Sequence, residues 1–282
     1  MFKIVNRKYY PDIKEFVNQC AYKVCTNSVL EDSAKGKVFA DSVNAPSIVL
    51  MWFKPATVYF YGEVNDIDEF NTDLKKVFDE WIIPECTKEG CGGSSISFFE
   101  EEYWGSFTDK LIIDGKLIRS GRWVGVFDKE RYLGKELPKP LPEGYEVCKI
   151  DKNILSNEEN AELKEEILDE GWSCIGDYLE RGIGFCVLKN SKVISSCYSV
   201  YISGNSHYEI TVNTFDADER KKGFATRCAI AFIDHCLENQ FLPHWEADHK
   251  NFASHKLAEK IGFRDSFIEN KFILFFNRSE IE

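Results

Sequence analysis

Between residues 209 and 215 polar and apolar positions alternate, and Ile210, Thr211, Val212 and Thr214 are β-branched, the pattern of a strand with one buried face. The chain leaves that strand through the polar run 216–219, and from Ala225 the period changes. Cys228, Ala229, Phe232, Ile233, Cys236 and Leu237 recur three and four apart, predicting a helix with one apolar stripe against a sheet. A short strand over 243–248 follows, then a second helix that opens at 251–254, carries Leu257, Ala258 and Ile261, and ends at Gly262 and Phe263. Upstream, 182–188 and 193–202, joined by a polar turn at 189–192, predict a hairpin feeding the strand at Glu209. Early helices over 159–168 and 172–179 and closing strands over 263–268 and 271–276 complete this half.

The first 136 residues read as α+β as well. Their pattern predicts a helix over 12–25, strands over 47–53 and 57–61, a helix over 67–81, a strand over 95–99, a helical turn over 107–111 and a hairpin over 116–127. Residues 137–143 hold three prolines, which remove backbone donors and disfavour both helix and central strand, so this stretch reads as a linker. The expected organisation is an N-terminal domain over 1–136, the linker, and a second domain over 144–282.

Chemistry concentrates at Arg220-Lys221-Lys222-Gly223-Phe224-Ala225, between the predicted strand and helix. The first N–H groups of a helix lack internal acceptors and the helix dipole adds partial positive charge there, so such a terminus accepts phosphate oxygens. Gly223 permits close approach, and the three cations form a basic island in a chain of net charge −12.

These residues resemble the GNAT superfamily of N-acetyltransferases, whose phosphate-binding signature of Arg or Gln, two residues, Gly, one residue, Gly or Ala is filled by Arg220, Gly223 and Ala225. A second signature of that family, downstream, is matched by Asn251, Ser254, Leu257, Lys260, Gly262 and Phe263. The resemblance implies an α+β acyl-CoA N-acyltransferase fold over 144–282, with a mixed, largely antiparallel sheet flanked by helices; the order of elements in 1–136 resembles a worn copy of that half, so a degenerate copy of the fold is expected there beside the alternative of an unrelated α+β domain, since both signatures are lacking.

It further implies acetyl-CoA as cosubstrate, with its pantetheine arm along Asn213, Thr214 and Phe215 and its pyrophosphate on the loop from Arg220 through Lys221, Lys222, Gly223, Phe224 and Ala225 to Thr226. Asn251 and Ser254 face the cofactor from the next strand–helix junction. Direct transfer to an amine needs a base and an acid for the leaving thiolate. Glu209 is the first candidate base and Glu246 the second. Where relatives often carry a tyrosine acid, this chain has Ala258, which leaves Tyr208, His255 or water as donor, or else a domain that binds acyl-CoA as a sensor without turnover. The resemblance implies a small-molecule or peptide amine as acceptor.

Five scattered histidines show no His-Glu-x-x-His spacing, and Cys86 and Cys91 lack a second close pair of zinc-ribbon type, so no metal is expected. Asp and Glu (47) outnumber Lys and Arg (35), which argues against nonspecific nucleic-acid binding. Glu100, Glu101 and Glu102 are read as able to line an acceptor cleft. With no secretory signal or apolar membrane span, the chain is expected in the cytoplasm with reduced thiols.

Overall fold

The computed structural model describes residues 2–53, 56–64, 66–99, 116–136 and 138–276. The expected helical turn over 107–111 and the acidic run Glu100–Glu102 lie outside these residues. Two compact units are present, one of Met1–Arg122 with Glu269–Glu282, the other of Trp123–Ile268. The division therefore falls at 122/123 and 268/269. Residues 138–143 belong to the second unit, where Leu141 packs on the core.

In the first unit β1 (Lys3–Ile4), β2 (Gly36–Ala40), β3 (Ile48–Phe53) and β4 (Thr57–Gly62) pair in antiparallel order. β4 then pairs in parallel with β5 (Gly93–Phe98), which pairs antiparallel with residues 271–275 of the C-terminal strand. Every residue of β3 is buried, as a strand covered on both faces requires. The core is built on Phe39, Leu50, Trp52, Phe60, Leu74 and Phe78.

The helix expected over 12–25 is interrupted: α1 (Tyr10–Cys20) stops where Ala21 turns extended, and α2 (Val24–Leu30) starts afresh. The helix expected over 67–81 is α3 (Ile67–Val77), followed by a π-helical turn, Phe78–Ile82, and α4 (Ile83–Lys88). Pro84 cannot donate to the preceding turn, and the wider π turn accommodates the lost bond.

The hairpin expected over 116–127 is one strand, β6 (Lys116–Phe127). Its glycines Gly121 and Gly125 are absent from the left-handed region that a tight hairpin turn needs, so the backbone runs straight through them. The closing strands expected over 263–276 likewise form one strand.

In the second unit α5 (Lys129–Leu133) precedes β7 (Tyr145–Lys149), α6 (Lys152–Ser156), α7 (Ala161–Asp169) and α8 (Ile175–Arg181). β8 (Gly184–Lys189), β9 (Lys192–Ser203) and β10 (His207–Thr214) continue an antiparallel sheet from β7. α9 (Phe224–Glu238) then crosses to β11 (Leu242–Asp248), which pairs with β10 in parallel, and α10 (Phe252–Lys260) leads into β12 (Phe263–Phe275). The stripe read from sequence is buried: Cys228, Ala229, Phe232, Ile233 and Cys236 are each 0 % exposed.

Both units thus repeat one order of elements, a hairpin, a strand, a helical crossover and a strand parallel to the one before it. They differ at the crossover's start. In the first unit Asp66 caps α3 with its own carboxylate, accepting from the N–H groups of Asp68 and Glu69, and acidic side chains fill the first turn. In the second, Gly223 stands at that place and supplies no side chain.

Candidate active site

The site begins with a failure of pairing. β10 and β11 are in parallel register only at His207–Leu242, Tyr208–Pro243 and Glu209–His244. Beyond Glu209, β10 continues for five residues, 210–214, paired with β9 alone. A bulge sits at the same point, since Glu209 faces Tyr201 but Ile210 faces Ser199. Bulges re-aim a strand and raise its twist, and here the bulge coincides with the parting of the strands.

At the end of that strand a 3₁₀ turn, Ala217–Glu219, capped by Asp216, delivers the chain to the basic loop. Lys221 (φ 63°) and Gly223 (φ 87°) both adopt left-handed backbone, which curls the loop so that α9 starts at Phe224. The first helical bond is Arg227 N–H to Gly223 C=O at 3.1 Å. Among the described residues, the N–H groups of Lys222 through Thr226 have no protein acceptor.

The loop is braced from one side. Lys222 Nζ donates to Glu219 Oε2 (2.7 Å), the Tyr145 hydroxyl to Glu219 Oε1 (2.9 Å), and Lys189 Nζ to the Tyr145 hydroxyl (2.9 Å). The Tyr145 ring stacks on Phe224 at 4.6 Å. These contacts hold the Glu219 carboxyl below its usual range, the Lys222 hydrogen bond contributing most, and raise Lys222 in turn, chiefly through Glu219. Arg220 Nε donates to Thr214 C=O at 3.4 Å, tying the loop back to β10.

On the other side, Asn251 caps α10 by accepting from Ser254 N–H (3.2 Å), and Ser254 Oγ accepts from Trp245 Nε1 (2.9 Å). The second signature is thus occupied in holding the β11–α10 junction together.

A cleft of about 660 Å³ lies between the parted strands and the two helix starts. Of the residues expected from sequence, it is lined by Asn213, Thr214, Arg220, Lys221, Gly223, Phe224, Ala225, Thr226, Glu246, Asn251 and Ser254. Three stand off its lining: Phe215, packed against the core; Lys222, turned to Glu219; and Glu209, only 3 % exposed at the last paired position. Tyr208 packs on Phe241, and buried His255 stacks on Trp123 with its Nε2 at 2.9 Å from Asp248 O, so neither expected thiolate donor reaches the cleft. Ala258 is fully buried, whereas Leu257 beside it is in the wall.

Sequence reading missed Ile210, Thr211, Val212, Glu219, Trp245, Ala247, Ala253 and Leu257 as wall residues. Helical spacing from Asn251 to Ser254 and Leu257 marks the α10 face and could have placed Leu257. The β10 positions enter because the strand edge is open, which no local pattern reports. It also missed the pair His207 and His244, whose Nδ1 and Nε2 lie 2.8 Å apart below the point of parting.

Among the described residues, no group of three His, Cys, Asp or Glu side chains could hold a metal ion, and no helix is long and apolar enough to cross a membrane.

The family model for GNAT acetyltransferase matches residues 14–268. An uncharacterized N-acetyltransferase of Bacillus subtilis (strain 168), YdfB, is 24% identical over 260 residues, 92% of this chain and 94% of the relative. A GCN5-related N-acetyltransferase-like protein from Streptococcus suis 89/1591 superposes with a TM-score of 0.66 at 20% identity, over 95% of this chain and 98% of the other. A tandem GNAT protein from the clavulanic acid biosynthesis pathway, solved without AcCoA, gives 0.61 at 10% identity over 99% of each chain. The solved structures share the fold, α+β with a mixed sheet flanked by helices, and the family match spans most of the chain: it belongs to the GNAT family of N-acetyltransferases.

Proposed function

We propose that the chain transfers an acetyl group from acetyl-CoA directly to a primary amine of a small molecule or peptide, in the cytoplasm. One observation supports this above the rest: a strand edge left open over 210–214 and a run of N–H groups over 223–226 without a protein acceptor line the same cleft. The diphosphate of acetyl-CoA would take the N–H groups of Lys222 to Thr226, with Arg220 and Lys221 beside it. The pantetheine arm would pair with the open edge, as an added strand does. Asn251 and Ser254 would form the opposite wall through their positions rather than through free side chains.

The amine must lose a proton as it attacks the thioester carbon, and the C–S bond breaks as the tetrahedral species collapses, releasing thiolate. Glu246 lines the cleft and would take that proton directly. Glu209, buried at the last paired position, would act through an intervening water. With Tyr208 and His255 both off the cleft, water would protonate the thiolate.

That same lack of a side-chain acid supports a second reading, a non-catalytic acyl-CoA sensor. Thiol release from acetyl-CoA across a panel of amines separates the two. Turnover lowered in Glu246→Gln or Glu209→Gln with unchanged acetyl-CoA affinity supports the enzyme; tight binding with no thiol release from any amine supports the sensor. No binding of acetyl-CoA at all overturns both.

A further inference from the structure

Over 210–214 β10 has one strand neighbour where a central strand has two, so this stretch is a sheet edge held from the β9 side alone. A thioester laid along such an edge needs the strand fixed, so what braces it matters to transfer. Two braces come from β9: Ser195 Oγ donates to Asn213 C=O (2.6 Å) and lies 3.0 Å from Thr214 Oγ1. A third comes from another layer. Asn213 Nδ2 donates to Glu166 Oε2 on α7 at 2.9 Å, across 47 residues of sequence.

Glu166 is half-buried, and burial pushes its carboxyl above the usual range although the Asn213 bond acts the other way. A desolvated carboxylate costs stability unless hydrogen bonds replace its lost water, and Asn213 supplies one of them. Asn213 lines the cleft, so Glu166 acts on the cleft through it.

We propose that Glu166 is a positioning residue: through Asn213 it sets the open edge of β10 against which the acyl-pantetheine arm is laid. This rests on reading the cleft as the acetyl-CoA site. Three variants of the full chain, Glu166→Ala, Glu166→Gln and Asn213→Ala, are to be titrated by calorimetry with acetyl-CoA and, separately, with 3′-phospho-ADP, which carries the diphosphate but not the arm.

Glu166→Ala and Asn213→Ala should bind acetyl-CoA about tenfold more weakly, the loss expected for one charge-assisted hydrogen bond, and should bind 3′-phospho-ADP as the wild type does. Glu166→Gln, which keeps an acceptor for Asn213, should recover most of the loss. Equal losses for both ligands, or wild-type affinity in Glu166→Ala, overturn the positioning role while leaving the cofactor reading intact. A wild-type chain that binds neither ligand overturns that reading, and the role with it. If Glu166→Ala does not fold, Asn213→Ala and Glu166→Gln decide by the same selectivity.

Discussion

Lys222 Nζ lies 2.7 Å from Glu219 Oε2, so one of the three cations of the basic loop is already bound to the protein's own carboxylate. Arg220 and Lys221 line the cleft; Lys222 does not. The loop's positive charge is therefore divided, two residues lining the cleft, of which Arg220 is also tied to Thr214 C=O, and one bound to Glu219.

Arg220→Ala should weaken acetyl-CoA about tenfold, as loss of one charge-assisted contact does, whereas Lys222→Ala should cost only about twofold, through slackening of the loop. Calorimetric titration of both variants checks the order; a larger loss in Lys222→Ala would contradict the division.

The strut at Glu219 has a pH signature. Its carboxyl titrates below the usual range, mainly because Lys222 and then Tyr145 donate to it. A group whose folded pKa is depressed adds stability above its unfolded pKa and loses it as pH falls through the folded value. The Tm gap between wild type and Glu219→Gln should be widest near neutrality and close below about pH 4. A gap that widens in acid would show that the strut is not what Glu219 supplies.

Gly223→Ala isolates backbone conformation. A Cβ there meets nothing within 4 Å, but φ is 87°, so the cost is conformational, roughly 1 kcal/mol, with no clash. Thermal unfolding should show a loss of that size, and acetyl-CoA affinity should fall with it because the loop's N–H groups turn with the backbone.

The two units predict one acetyl-CoA per chain. In the first unit α3 begins on Asp66, which takes the N–H groups of Asp68 and Glu69 for itself, and the nearby cleft of about 300 Å³ is lined by Asp41, Glu63, Asp66, Glu69 and Asp73 and, among the described residues, by no Lys or Arg. Self-capped donors among carboxylates repel a diphosphate. Titration should give a stoichiometry of one; a value of two would contradict this.

Much of this was legible locally. Arg220, Gly223 and Ala225 announce the turn into α9 because a loop-to-helix turn is written in neighbouring residues, and Cys228 to Cys236 announce the buried face of α9 by spacing alone. The parting of β10 from β11 was not legible from pattern, since it depends on which strand pairs with which beyond Glu209. Nor were Glu166–Asn213 and Tyr145–Glu219, whose partners lie 47 and 74 residues apart. Glu209 became a candidate base through the family resemblance; its burial comes from the neighbours β9 and β11, which sequence periodicity does not name. The hairpin expected over 116–127 is one strand although it holds Gly121 and Gly125, because glycine permits a turn without imposing one.

Amide hydrogen exchange, followed with and without acetyl-CoA, tests the central claim most directly. Binding should slow exchange in two separate segments together, 222–226 at the start of α9 and 210–214 along the open edge of β10. Acetyl-CoA that binds and protects neither segment would contradict the account.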